Sequence, residues 1–164
     1  PYKRVEVAVK ACTRLGLSLS VIGRGPEMGR LRNVAGPTVR FHGEVDDSSL
    51  EEAYRNCQAV IFPSDEDFGL VPLEAMASGR PVLALNAGGA RETVLQGVTG
   101  DFYGDAGVDS LVNALDHFRP SDYDPSECRH RAEQFSADRV RCGIVAVIEL
   151  APARATEGLI RKSD

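Results

Sequence analysis

The spacing of apolar positions changes several times along the chain, and each change predicts an element. Val5, Ala8, Val9, Cys12 and Leu15 recur at helical spacing, and Gly16 supplies the stop. Residues 17–22 then read as a strand, followed by the turn Gly23-Arg24-Gly25-Pro26 and a helix over about 27–35. A β-branched and aromatic run at 38–42 ends on Gly43 and predicts a second strand. Asp47 is placed to cap the next helix, which carries Glu51, Glu52 and Tyr54. Residues 59–62 form a short, wholly apolar run of the kind found in buried parallel strands. After it come an acidic turn at 64–67 and a short helix with Pro72 in its first turn, Gly79 at its C′ position and Pro81 beyond.

The same alternation continues downstream. An apolar strand at 81–85 leads into the turn Asn86-Ala87-Gly88-Gly89, a short helix near 91–95 and a terminal strand carrying Phe102 and Tyr103. Three helices are predicted to follow, from Asp109 through Phe118, over 125–134 and over 136–150, the last capped by Ser136. Helices alternating with apolar strands across short glycine turns predict an α/β fold with a doubly wound parallel sheet. Residues 1–150 are expected to form one domain and 151–164 a frayed or tag-derived tail. In such folds ligands bind outside the carboxyl ends of the strands. Every distinctive turn (23–26, 43–47, 64–69 and 86–89) follows a strand, so all four are expected on one edge.

Composition narrows the function classes. With 164 residues, 43% hydrophobic and 26% charged, the chain has the make-up of a soluble globular domain. A net charge of -5 gives no electrostatic support for a nucleic-acid partner. Cys12, Cys57, Cys128 and Cys142 lack metal-ligand spacing and are expected to be reduced, mostly buried thiols. His42 is expected at a strand rim, and His117 and His130 on the surface. Neither a leader nor an apolar run long enough to cross a membrane is read in the sequence, and a cytoplasmic location is expected.

The chemistry concentrates in residues 62–79, FPSDEDFGLVPLEAMASG. A strand, a loop and a helix start together present free backbone N–H groups to an anion. Glu66 lies in the loop and Glu74 about a turn inside the helix. Each has a plain alternative: Glu74 complements the helix dipole, and Glu66 is a solvated turn residue. Asp47 as a cap and Gly23–Pro26 as a simple strand exit are alternatives of the same kind.

Glu66-Asp67-Phe68-Gly69 leading to Glu74-Ala75-Met76-Ala77 resembles the E-x7-E signature of retaining glycosyltransferases of the GT-B type, family 4. The resemblance extends to Gly79-Arg80-Pro81-Val82, Gly88-Gly89-Ala90-Arg91-Glu92 and Gly97-Val98-Thr99-Gly100. Upstream it includes Tyr2-Lys3-Arg4-Val5, Gly23-Arg24-Gly25-Pro26 and residues 41–47, all in the family's order.

The resemblance implies the nucleotide-sugar-binding, C-terminal half of a two-domain hexosyltransferase. Glu74 would bond the ribose hydroxyls, and Glu66 the hydroxyls of the donor sugar. The N–H groups of Phe68, Gly69 and Leu70 would face the diphosphate, which Lys3 would neutralise. Val45 and Asp47 would line the base, Gly23 and Gly25 would let the backbone approach the nucleotide, and Glu92 would orient the loop around the sugar. No metal or further cofactor is implied. GDP-mannose is favoured as donor by the run around Glu66 and Gly88-Gly89-Ala90-Arg91-Glu92-Thr93.

The family has a first, central strand and a diphosphate-binding arginine before the lysine, and this sequence starts after both. A hole or an exposed edge is therefore expected in the sheet. The acceptor site belongs to the family's N-terminal domain, through which any peripheral membrane contact at the inner face would be made. This chain alone is therefore expected to transfer nothing. Two rival readings remain: a non-catalytic nucleotide-binding or assembly module of the same fold, and a glycosidase using Glu66 and Glu74 as paired carboxylates.

Overall fold

The computed structural model describes residues 3–67 and 69–136. The readings that fall on Phe68, Cys142, the helix at 137–150 and the tail at 151–164 lie outside the described residues. The chain divides after Ala132 into two units, the second of which is described only over 133–136.

The elements run α1 (Val5–Leu15), β1 (Leu19–Ile22), α2 (Met28–Val34), β2 (Val39–Gly43), α3 (Asp47–Asn56), β3 (Val60–Phe62) and α4 (Leu70–Ala77). They continue with β4 (Val82–Leu85), α5 (Ala90–Thr93), β5 (Gly100–Tyr103), α6 (Val108–His117) and α7 (Pro125–Glu133). A 3-10 turn at Pro120–Asp122, which the apolar spacing does not signal, precedes α7. Gly16 and Gly79 take the left-handed conformation that ends α1 and α4, as their positions after the apolar periodicity predict. At α4 the Gly79 N–H bonds the Met76 carbonyl at 2.8 Å and the Arg80 N–H bonds that of Ala75 at 2.9 Å.

All strand pairs are parallel. β4 lies between β3 and β5, and its four residues are all buried. Its side chains divide by the period of two: Val82 and Ala84 join Phe62, Met76, Ala90 and Cys128, whereas Leu83 and Leu85 join Ala8, Ala11, Tyr103 and Leu111. Both faces of the β3–β4–β5 sheet are thereby covered by helices, the doubly wound arrangement that the alternating pattern predicts.

The strands form two sheets rather than one continuous sheet: β1–β2 and β3–β4–β5. β1 and β3 bond no strand other than β2 and β4, respectively, among the described residues. Their apolar side chains Leu19, Val21, Ile22, Val60 and Ile61 are only half-buried. A cavity of about 430 Å³ is lined by Ser20 and Ile22 of β1, Val60 of β3, and Tyr54 and Val71 of the flanking helices. The expected exposed edge is therefore present twice, on either side of a seam. Each edge leaves a row of backbone donors and acceptors without a ladder.

Candidate functional site

The loop after β3 is built around Ser64, which is 2% exposed and donates from Oγ to Glu66 Oε1 at 2.7 Å. The Glu66 carbonyl accepts the Gly89 N–H at 2.8 Å, which ties this loop to the one after β4. The two loops touch so closely that a Cβ on Gly88 would lie 2.4 Å from that carbonyl oxygen, and Gly88 has a φ of 54°. Glu66 thus has both its backbone and its carboxylate held at the strand ends.

Gly69 precedes α4 at its N-cap position, with a φ of 65° and an absent Cβ that leaves room for the Phe62 ring. No side chain caps this helix start, and Pro72 has no N–H to satisfy. Leu70, in the first turn, is 61% exposed.

Glu74 is exposed in the second turn of α4, and its Oε2 accepts the Tyr54 O–H at 2.8 Å. Burial, followed by the Glu74 hydrogen bond and charge, pushes the Tyr54 phenol well above its ordinary range, so it remains a donor. Glu74 and Tyr54 form the ridge between two depressions. One is the 430 Å³ cavity, whose lining includes Gly23, Glu44 and Val45. The other, of about 530 Å³, includes Asp47, Glu51 and Ser78.

The structure therefore gathers Glu74, Gly23 and Val45 around one cavity and puts Asp47 beside Glu74 in the other. Lys3, Gly25, Glu66, Gly69, Leu70 and Glu92 line neither. Lys3 is exposed in the turn before α1. Gly25 accepts the Met28 N–H at 3.2 Å in the turn that starts α2. Glu92 is exposed on α5, a four-residue helix at 90–93 rather than 91–95, and its carbonyl accepts from Arg131.

The cap of α3 is corrected as well. Asp46, not Asp47, caps α3: its Oδ1 accepts the Ser49 N–H at 2.7 Å and the Ser48 hydroxyl at 2.8 Å. Asp47 is already helical, so its carboxylate points free of the cap and lines the larger depression. The backbone bond from Ser49 and the Ser48 hydroxyl hold the Asp46 carboxyl below its usual range. A depressed folded-state pKa contributes stability above the unfolded value of about 3.9 and loses it as pH falls through the folded value. Asp46→Ala is therefore expected to lower the melting temperature at pH 7 and to converge with the unmutated chain near pH 2, in thermal melts across that range.

Three contributors escape the sequence reading. Ser64 and Glu44 carry no local signal. Tyr54 does carry one: it shares an apolar helical stripe with Leu50, Ala53 and Cys57, and a tyrosine in such a stripe needs a partner for its hydroxyl. His42 reaches Ser20 Oγ at 3.1 Å across β1–β2, an exposed rim position as expected. Cys12, Cys57 and Cys128 are free thiols, and burial pushes Cys12 up to about 11. Among the described residues no cluster of His, Cys, Asp or Glu is arranged to hold a metal ion. No helix there is long and apolar enough to cross a membrane.

Parallel strands with helices on both faces, and an acidic loop and helix start at their carboxyl ends, define a Rossmann-like, doubly wound α/β domain. Residues 1–118 match the family described as glycosyl transferases group 1, and the chain belongs to that family. It is 38% identical over 101 residues to a GDP-mannose-dependent alpha-mannosyltransferase of Mycolicibacterium smegmatis, covering 61% of this chain and 27% of that protein. It is 33% identical over 141 residues to a glycogen synthase of Mycobacterium tuberculosis, covering 79% of this chain and 33% of that protein. The chain thus spans a third or less of the length of these relatives. Among solved structures, sucrose-phosphate synthase from Thermosynechococcus elongatus superposes with a TM-score of 0.76 at 26% identity, over 90% of this chain and 42% of that one. Anabaena HepE in complex with UDP and glucose superposes with a TM-score of 0.74 at 24% identity, over 92% and 46%.

Proposed function

We propose that this domain holds the nucleotide-diphosphate-sugar donor of a glycosyltransferase that retains anomeric configuration and moves a hexose to an acceptor bound by another domain. The observation that carries the reading is the Glu74 carboxylate, held by Tyr54 at the rim of a cavity that also takes in Gly23 and Val45. A carboxylate with free lone pairs suits two vicinal ribose hydroxyls. Gly23 admits the nucleotide to close backbone approach, and Val45 and Asp47 border the base.

The Gly69 and Leu70 N–H groups face the diphosphate at the start of α4. Lys3 neutralises the leaving diphosphate, so its negative charge is met by a cation and backbone dipoles without a metal. Glu66, fixed by Ser64 and Gly89, bonds the sugar hydroxyls, and Glu92 orients the adjoining loop. The acceptor then attacks from the face that the diphosphate leaves. GDP-mannose is the favoured donor, supported by the likeness to a GDP-mannose-dependent enzyme. The UDP and UDP-glucose complexes of a structural neighbour support a nucleotide-sugar ligand in general. The chain by itself binds donor and transfers nothing, and any membrane contact is peripheral and made by the acceptor domain.

Calorimetric titration of the chain with GDP and with UDP tests this reading. Binding in the micromolar to millimolar range is expected, with GDP tighter. Glu74→Ala should weaken it by about tenfold to a hundredfold, the value of one or two hydrogen bonds to a charged group. Absence of binding by either nucleotide at millimolar concentration, with Glu74→Ala silent, would overturn the assignment.

A further inference from the structure

Resting on that reading of Glu74, we propose that Tyr54 is its positioning residue: the phenol fixes the carboxylate on α4 so that its remaining oxygen sites face the ribose, and thereby sets selectivity for ribose over deoxyribose.

The pairing is fixed at both ends. At the side chains, Tyr54 O–H donates to Glu74 Oε2 at 2.8 Å. At the backbone, Arg80 donates from Nε to the Tyr54 carbonyl at 3.1 Å and from its terminal nitrogen to the Arg55 carbonyl. Cys57 Sγ adds a further contact to the Tyr54 carbonyl at 3.3 Å. Arg80 follows directly on the turn that closes α4, where its own N–H bonds Ala75. One guanidinium therefore clamps the last turn of α3 to the end of α4. That clamp holds the Tyr54–Glu74 separation.

The chemistry of the two partners fits this role. An exposed glutamate on a helix samples many rotamers, and confining it costs side-chain entropy when a ligand binds. Tyr54 is half-buried against Val60 and Val71, so its ring, with only two side-chain torsions, is ordered already. Its hydroxyl takes one of the roughly four acceptor sites of the carboxylate and leaves the others for a vicinal diol. Burial and the neighbouring carboxylate keep the phenol protonated at any working pH, so the donor is always present. Because both side chains also border the second depression, an unheld Glu74 would be free to turn out of the cavity that takes in Gly23 and Val45.

The test compares four proteins (the unmutated chain, Tyr54→Phe, Glu74→Ala and the double variant) by titration with GDP and with 2′-deoxy-GDP, and by urea unfolding. Tyr54→Phe is expected to weaken GDP about threefold to tenfold, less than loss of Glu74 itself because the phenol acts through the carboxylate, and to weaken 2′-deoxy-GDP less, since only the 3′-hydroxyl remains for Glu74 to bond. In the Glu74→Ala background it should weaken neither nucleotide further, and the unfolding midpoints should be non-additive. Equal weakening of both nucleotides, an undiminished effect without Glu74, or additive midpoints would each overturn the proposal. If the unmutated chain binds neither nucleotide, the ribose reading of Glu74 falls and takes the selectivity role of Tyr54 with it. If GDP binds and Glu74→Ala weakens it while Tyr54→Phe does not, the donor site stands and only the role of Tyr54 is lost.

Discussion

On the donor reading proposed above, Gly88→Ala is expected to abolish the gain in affinity that a donor sugar adds over the bare nucleotide, and to cut transfer by a full-length transferase containing these residues about a hundredfold. Two costs combine at this position. Alanine at a φ of 54° is strained by about 1–3 kcal/mol. Its Cβ would also lie 2.4 Å from the Glu66 carbonyl oxygen, closer than a carbon can approach, and would press on Asp65 Oδ1 at 3.1 Å. The loop after β3 must withdraw, which stretches the Gly89 N–H bond to Glu66 and displaces the carboxylate that Ser64 holds. The nucleotide end should be spared, because Glu74 and Tyr54 rest on α4 and α3. Calorimetry with GDP and GDP-mannose separates the two effects. Affinity for GDP should hold, and the difference between the ligands should vanish. Equal loss for both ligands would show that the β4 loop serves the nucleotide rather than the sugar.

Leu83→Ala is expected to cost about 2–5 kcal/mol of folding stability, the range for emptying a fully packed leucine site. Leu83 is 1% exposed, lies at the centre of the middle strand between Ile61 and Asp101, and packs with Ala8, Leu85 and Leu111. The site has little freedom to collapse, because β4 is hydrogen-bonded on both sides. Against a domain stability of about 5–15 kcal/mol this is a large fraction. Among the described residues two strand edges lack a ladder, which leaves less stability in reserve. Urea unfolding should show the midpoint falling, with nucleotide affinity per folded molecule unchanged. A cost below 1 kcal/mol would mean that the two helix layers close over the gap.

Most of the fold was legible because it depends on local periodicity. The apolar run at 81–85 reads as a strand and is the central, fully buried strand of its sheet, whereas the run at 59–62, which reads as a buried strand, forms a half-buried edge. Gly16 and Gly79 were readable as helix ends, since their conformation is a property of single residues. Adjacent alternatives were harder. Asp46 and Asp47 are chemically identical, and which one caps α3 depends on where the first turn places the Ser49 N–H. A shift of one residue moved the cap away from the site and freed Asp47. Ser64 offered no cue, because its effect on Glu66 arises from a loop shape that β4 and Gly88–Gly89 impose from another part of the chain.

The sequence by itself determined the alternating elements, the carboxyl-edge location of the distinctive turns and the two glutamates of the loop and helix. Each follows from short-range rules of spacing, turn chemistry and capping. Only the tertiary structure decided that the strands part into two sheets with a seam between β1 and β3, because strand pairing is a long-range choice. It likewise decided that Glu74 is held by Tyr54 from a different helix. That hydrogen bond depends on how α3 and α4 are clamped through Arg80, a geometry that no local pattern encodes.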